Sequence, residues 1–191
     1  MNKEEKLILA SASPRRRELM EKLRVPFLCE PAAGEESVPE GTTAERTAEL
    51  LSKGKAREVY GRHAGEDVTV IGSDTVVILS GQIMGKPADR EDAFRMLRSL
   101  SGKTHVVSTG VTILGKNGEE SFTSETEVTF YELTDEEIRS YIDTGEPMDK
   151  AGAYGIQGYG ALLVKEIRGD YFTVMGFPIA EVYRRLHEKD S

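Results

Sequence analysis

The sequence predicts an α/β protein with a long, twisted, mixed β-sheet, flanking helices and two lobes around a central cleft. In the first half of the chain, segments typical of strands alternate with segments typical of helices, as in proteins whose sheet is covered by helices. In the second half, two long β segments are joined through Asn117-Gly118, a strong hairpin signal. The 191 residues contain no repeat and no linker-like stretch, so we expect a single domain over residues 1–191.

The first half of the chain opens with a short apolar run and a helix start. Ser13 is expected to cap this helix, with Pro14 at its first position, where the missing N–H costs nothing. Further on, Gly72-Ser73-Asp74-Thr75 lies between two β-branched runs. Strands are predicted at residues 7–10, 25–29, 68–71 and 76–79, and a second helix from Thr42 or Thr43 to about Tyr60.

The second half combines hairpins with three helices. A return strand is expected after Ser80-Gly81, and Asp89 is expected to cap the helix that follows. Thr134 and Glu137 form a capping box for the next helix. Residues 148–160 follow no period and contain four glycines, which indicates a loop whose backbone approaches another group closely. Strands are predicted at 104–114, 121–131, 161–167 and 171–174, and a last helix from Pro178 to about His187.

Composition excludes several classes of protein. The net charge of −8 argues against general affinity for nucleic acid. Cys29 is the sole cysteine, so no intramolecular disulfide forms, which agrees with a reducing compartment. Because Cys29 lies in an apolar run, we expect its side chain in the core. The three histidines lack the spacing of a zinc site. No apolar run reaches membrane-spanning length, and a cytoplasmic location is expected.

The first helix start has an unusual charge. The first turn of a helix carries unpaired N–H groups and normally attracts acidic residues, yet here it carries Arg15, Arg16 and Arg17. A bound anion would resolve this conflict, because a strand, a turn and a helix N-terminus together form a phosphate cradle. Ser13 belongs to that candidate binding turn. The alternative is a solvated basic helix start.

Other charged residues on turns fit phosphoryl chemistry. Asp74 lies between two buried β runs, where a charged carboxylate needs a cation or an ion-pair partner. Lys55, Lys86 and Glu36 are further charged residues on a helix, a turn and a loop. Cationic side chains neutralise phosphate oxygens, and carboxylates hold Mg²⁺ or orient water. The Walker loop and the Gly-x-Gly-x-x-Gly fingerprint are both absent.

Several blocks in order resemble the Maf family over nearly the whole chain. They are Ser11–Arg16 (Ser-x-Ser-Pro-Arg-Arg), Glu35-Glu36-Ser37, residues 51–56, Gly72-Ser73-Asp74-Thr75, Gly85-Lys86-Pro87, residues 149–158, Gly169-Asp170-Tyr171 and Gly176-Phe177-Pro178. The resemblance implies a nucleotide pyrophosphatase that cleaves nucleoside triphosphates to monophosphate and pyrophosphate with a divalent metal cation, Mg or Mn. It also implies a two-lobed α/β fold similar to inosine-triphosphate pyrophosphatases, with the site in the cleft.

The resemblance also implies roles for individual residues. Asp74 matches the family's proton acceptor and, with Glu36, its metal site, whereas Arg16, Lys55 and Lys86 match positions that line the phosphates. The three positions that mark the dTTP/UTP subgroup are matched by Arg15, Thr75 and Gln157. Two residues depart from the family pattern, Glu35 for a frequent Asp and Ser52 for a frequent Ala. Glu35 leaves open which of the two adjacent acids faces the metal.

Less specific roles and a second function stand beside these. Thr75 can be an ordinary strand residue, Gln157 a loop amide bonded to backbone, and Lys55 a solvated lysine. The expected partner is a small-molecule nucleoside triphosphate, with neither nucleic acid nor membrane, and a homodimer is one compatible state. The alternative function is a nucleotide-binding regulatory module that affects cell division without turnover.

Overall fold

A computed structural model of the chain describes residues 6–34 and 37–188. Among these residues, seven strands form one sheet in the order β2-β1-β3-β5-β6-β7, with β4 paired to β3. The strands are β1 Lys6–Ala10, β2 Phe27–Cys29, β3 Val68–Leu79, β4 Gln82–Met84, β5 Thr104–Gly115, β6 Gly118–Phe130 and β7 Val164–Arg168. The two predicted runs at 68–71 and 76–79 are therefore one continuous strand, β3.

Five of the six helices of the described residues, all but α5, agree closely with predicted helices. The six are α1 Pro14–Glu21, α2 Ala44–Arg62, α3 Arg90–Leu100, α4 Asp135–Asp143, α5 Tyr171–Val174 and α6 Ile179–Glu188, with short 3₁₀ turns at Glu146–Asp149, Ala151–Ala153 and Tyr159–Leu163. The Asp89 side chain accepts from Asp92 N, and Thr134 and Glu137 form the reciprocal capping box. These caps confirm the predicted starts of α3 and α4.

The sheet is mixed, as the sequence predicts. Strand β1 pairs in parallel with β2 and with β3, where Lys6 lies opposite Val68. Antiparallel pairing joins β3 to β4 and β6 to β7, where Val128 lies opposite Ile167. The predicted α/β class, a mixed sheet with flanking helices, is therefore confirmed.

The chain divides into two compact units. Unit 1 contains the described residues up to Asp74, then Thr109–Ser124 and the described residues from Gly176; unit 2 contains Thr75–Ser108 and Glu125–Met175. The chain passes from one unit to the other inside β3, β5 and β6 and again after Met175. The single domain with a central cleft stays a prediction.

The core of unit 1 lies where α2 packs on the sheet. One cluster of its buried apolar residues contains Ile8, Ala10, Ala56, Val59, Val68 and Val70. The approach is close at Gly72 of β3, because a Cβ there would lie 2.8 Å from Ala56 N and closer still to the Ser52 carbonyl oxygen. Gly72 thus lets α2 lie directly on the sheet.

An aromatic cluster lies in the core of unit 2. His105, Phe130 and Tyr154 pack edge to face, with ring centroids 4.8–5.4 Å apart. The His105 Nε2 and Tyr154 hydroxyl are 2.8 Å apart. Burial lowers the pKa of His105 to about 4, so its ring is neutral at physiological pH.

Two local predictions are wrong. Residues 171–174 form the helical turn α5 rather than a strand, because the Asp170 carboxylate accepts from Phe172 N at 3.2 Å and Thr173 N at 3.0 Å. Cys29 is exposed rather than buried, since β2 is the edge strand of the sheet. The strand predicted at 161–167 begins at Val164, after a 3₁₀ turn.

Within the described ranges, none of the helices combines the length and the apolar character that crossing a membrane requires.

Candidate active site

The basic helix start of unit 1 is built as the sequence predicts. Ser13 has extended backbone, and its hydroxyl accepts from Arg16 N at 3.4 Å. The Ser11 hydroxyl accepts in turn from Ser13 N at 3.1 Å, which orders the turn between β1 and α1. Pro14 opens the helix, and its first turn contains no acidic residue. Two hydroxyl groups therefore satisfy backbone donors at a turn that also carries positive side chains.

Arg16 is held on the protein rather than extended into water. Its Nε donates to the carbonyl oxygen of Gly176 at 2.8 Å, and its Nη1 lies 3.5 Å from the Ser11 hydroxyl. Arg15 is half-buried, while Arg17 is exposed and pairs with Glu21 at 3.3 Å. The solvated alternative thus describes Arg17, whereas Arg16 has a fixed direction.

The Gly176 carbonyl also receives Ser73, the residue before Asp74. The Ser73 hydroxyl, fully buried in β3, donates to Gly176 O at 3.1 Å. Gly176 has a φ of +99°, a conformation that glycine adopts readily. One carbonyl oxygen therefore joins Arg16 to the strand that carries Asp74. The sequence assigns no role to Ser73 or Gly176, although a buried serine hydroxyl requires a hydrogen-bond partner.

Asp74 and Lys55 form an ion pair in unit 1. The Lys55 ammonium contacts Asp74 Oδ1, and the two side chains are only 16% and 11% exposed. Helix α2 supplies Lys55, and the close contact at Gly72 holds that helix on β3. The Ser52 hydroxyl adds a second attachment, 2.8 Å from the Thr112 hydroxyl of β5. Lys55 thus provides the nearby cation that a carboxylate shielded from water, such as Asp74, requires.

Unit 2 carries the other predicted substrate residues. Thr75 follows Asp74 in β3 and is half-buried, whereas Lys86 and Gln157 are exposed on turns. The turn of Lys86 is tied to the glycine-rich segment, because Gly152 N donates to Gly85 O at 3.0 Å. A Cβ at Gly152 would lie 2.9 Å from Val77, so this segment packs directly on β3. The predicted close backbone approach is confirmed at this glycine.

The metal prediction is only partly within the described residues. Glu36, together with the choice between it and Glu35, lies outside them. Within residues 6–34 and 37–188, no three side chains of His, Cys, Asp or Glu cluster as a metal site would. Unit 1 thus links Ser13, Arg16, Lys55 and Asp74 by contacts within the chain. The binding and catalytic roles of these four residues stay predictions, as do those of Arg15, Thr75, Lys86 and Gln157.

Comparison with known proteins yields consistent similarities. The family model described as Maf-like protein matches residues 6–189. The dTTP/UTP pyrophosphatase of Agathobacter rectalis is 49% identical over 95% of this chain and 96% of that protein. Its counterpart from Thermococcus kodakarensis is 51% identical over 93% and 94%. Among solved structures, a HAM1 protein from Coxiella burnetii has a TM-score of 0.52 over 96% of this chain and 98% of that one, at 13% identity, which supports the fold alone.

Proposed function

The chain belongs to the Maf family, and from this premise we propose that it hydrolyses dTTP and UTP to the monophosphate and pyrophosphate. Modified pyrimidine nucleotides fall within the same substrate class. Relatives named dTTP/UTP pyrophosphatase that cover nearly the whole chain support the proposal. The observation that carries it in the structure is the shielded Lys55–Asp74 pair, connected through Ser73 and Gly176 to Arg16.

The proposed reaction is attack by water on the α-phosphorus. A new P–O bond forms from water, the bond between the α-phosphorus and its bridging oxygen breaks, and pyrophosphate leaves with the electron pair. Asp74 accepts the proton of the attacking water, a role for which a positioned carboxylate is suited. Arg16, Lys55 and Lys86 offset negative charge on the phosphates as it develops. The hydrogen bond to Gly176 O directs Arg16, and the ion pair directs the Asp74 carboxylate.

The donor set suits a divalent cation of the Mg²⁺ or Mn²⁺ type. Such cations prefer oxygen ligands, and Mg²⁺ is commonly held by one or two carboxylates together with substrate phosphates and water. Asp74 supplies a carboxylate that is largely shielded from water, and we propose Glu36 as the second. When bound, the cation would supply charge neutralisation at the phosphate oxygens.

We propose that Gln157 reads the base. Uracil and thymine present an N3–H donor beside carbonyl acceptors, and a glutamine amide can accept from the first and donate to the second. Cytosine reverses this pattern, so the same amide would face a mismatch worth roughly 1–3 kcal/mol by analogy with bidentate base recognition. Arg15 and Thr75 belong to the same proposal, since they match the other positions of the dTTP/UTP subgroup.

Product analysis with UTP and Mg²⁺ tests the activity. We expect UMP and pyrophosphate, and Asp74→Asn should lower turnover at least about a hundredfold. Asp143→Asn, a change of an exposed carboxylate at the end of α4, is the matched control and should leave turnover unchanged.

Other products would contradict the proposal. UDP with orthophosphate would exclude pyrophosphate release, and a wild-type rate in Asp74→Asn would remove the proton acceptor. Binding of UTP without metal-stimulated turnover would favour the alternative, a regulatory module.

We also propose a cytoplasmic location, which fits the lone cysteine in the sequence. A homodimer stays a prediction, and light scattering after size-exclusion chromatography measures it directly.

A further inference from the structure

The carboxylate of Glu146 lies at the centre of a loop in unit 2. Its Oε1 accepts from the Tyr141 hydroxyl at 2.8 Å and from Gly160 N at 3.1 Å. Its Oε2 accepts from Tyr159 N at 2.8 Å. Three donors therefore converge on one side chain, which is itself half-buried. Such charge-assisted bonds are stronger than bonds between neutral groups.

Tyr141 extends this connection to the other end of the loop. Its hydroxyl oxygen accepts from Gly155 N at 3.1 Å while the hydroxyl donates to Glu146. The phenol of Tyr141 and the carboxylate of Glu146 thus bind the backbone on both sides of Gln157. Gly155 lies two residues before Gln157, and Tyr159 and Gly160 lie two and three residues after it. The loop is also closed across Gln157 by a backbone bond from Gly158 N to Gly155 O at 3.4 Å.

The protonation states of the pair favour this arrangement at neutral pH. Burial, together with the Glu146 carboxylate, raises the pKa of Tyr141, so the phenol keeps its proton and remains a donor. Burial also raises the pKa of Glu146, but the bonds from Tyr141, Gly160 and Tyr159 and the positive charge of Lys150 together lower it by more. The carboxylate therefore stays ionised and accepts from all three donors.

Two glycines allow the backbone to wrap around the carboxylate. A Cβ at Gly158 would lie 2.6 Å from Glu146 Cδ, and one at Gly160 would lie 2.6 Å from Gly155 O and 2.8 Å from the Tyr141 hydroxyl. Neither glycine has a positive φ, so space rather than backbone conformation requires them. The glycines for which the sequence predicts a close backbone approach therefore surround a carboxylate of the same chain.

We propose that Glu146, together with Tyr141, is a positioning residue for base selection, because it determines where the loop holds Gln157. The inference rests on the proposed function, in which the Gln157 amide reads the pyrimidine edge. An amide that discriminates by a donor–acceptor pattern must be held in one orientation, since a mobile amide would satisfy cytosine as well as uracil. The bonds on either side of Gln157 provide that restraint.

The test replaces each member of the pair by a near-isosteric residue. Glu146→Gln leaves one acceptor oxygen and presents an NH₂ group to N–H donors, and Tyr141→Phe removes the shared hydroxyl. Glu132→Gln and Tyr131→Phe make the same changes at exposed positions of unit 2. For each variant, amide exchange at residues 155–160 is measured by NMR, and kcat/KM is measured for UTP and CTP. The affinities for UTP and CTP are also measured at equilibrium in the absence of divalent cation, so that base selectivity is determined independently of turnover.

We expect faster amide exchange at Tyr159 and Gly160 and a fall of about fivefold or more in the UTP-over-CTP ratio in both variants. The two controls should have the exchange rates and the UTP-over-CTP ratio of the wild type. Tyr141→Phe is the milder change, and it tests the proposal by itself if Glu146→Gln does not fold.

An unchanged ratio, whether the two rates stay constant or fall together, would overturn the proposal. A wild-type protein that turns over neither nucleotide would instead refute the proposed function, while exchange and binding would still decide whether Glu146 governs the loop and its selectivity.

Discussion

Replacing Gly72 by Ala would test whether close packing of α2 on β3 places Lys55 beside Asp74. The added Cβ would lie 2.8 Å from Ala56 N, whereas ordinary van der Waals contact begins at 3.4 Å, and it would lie closer still to Ser52 O. Both contacts are with backbone, which cannot rotate away as a flexible side chain can. Helix α2 must therefore move outward by about 0.6 Å or more, and Lys55 moves with it.

This displacement has a cost in stability and a larger one in activity. Overpacking of this kind lowers the free energy of unfolding by about 1–3 kcal/mol. A misplacement of about 1 Å in a catalytic arrangement can reduce the rate about a hundredfold. We therefore expect UTP turnover in Gly72→Ala to fall about ten- to a hundredfold, under conditions in which the variant is still fully folded.

Urea unfolding and UTP turnover are measured on the same preparations. Gly54→Ala is the matched control, because Gly54 lies in the same helix and a Cβ there would meet no atom within 4 Å. It should raise the free energy of unfolding by up to about 1 kcal/mol through helix propensity, with activity unchanged. Wild-type stability and turnover in Gly72→Ala would refute the argument that this contact positions Lys55.

Three further changes address separate parts of the molecule. Lys55→Met removes the cation from a largely shielded carboxylate and should lower UTP turnover at least about tenfold, whereas a wild-type rate would leave Lys55 without a catalytic role. Gln157→Glu should reduce the UTP-over-CTP ratio of kcat/KM selectively, and an equal loss for both would mean that Gln157 only braces its loop. Burial lowers the pKa of His105 from 6.5 to about 4, so between these values the unfolded chain binds a proton that the folded chain does not. The free energy of unfolding should thus fall by about 1.4 kcal/mol per pH unit on acidification; His105→Gln should flatten that slope in urea unfolding, and an unaltered slope would exclude His105 as its source.

The sequence alone determined the features that neighbouring residues control. The caps at Ser13, Asp89 and Thr134 each bond a backbone N–H three residues away, so a short stretch of sequence contains both partners. The hairpin turn at Lys116-Asn117, directly before Gly118, is local in the same sense. The family was also readable, because its motifs are short blocks whose order the chain preserves.

Predictions from short stretches of sequence were wrong where two local signals competed or where burial depended on the position of a strand in the sheet. Apolar and aromatic residues at 171–174 favour a strand, but the carboxylate of Asp170 bonds two of the backbone N–H groups and starts a helical turn. Cys29 lies in an apolar run, yet its strand is at the edge of the sheet and leaves it exposed. The order of strands is not encoded in any single segment.

Only the tertiary structure decided which groups meet at the candidate site. Arg16 and Ser73 share the carbonyl oxygen of Gly176, from which they are separated by 160 and 103 residues. Lys55 reaches Asp74 because a glycine lets a helix lie on a strand. Hydrogen bonds and ion pairs depend on distances of a few ångströms, and those distances follow from the packing of the whole chain. Residue types therefore indicated the chemistry, while the folded backbone selected the partners.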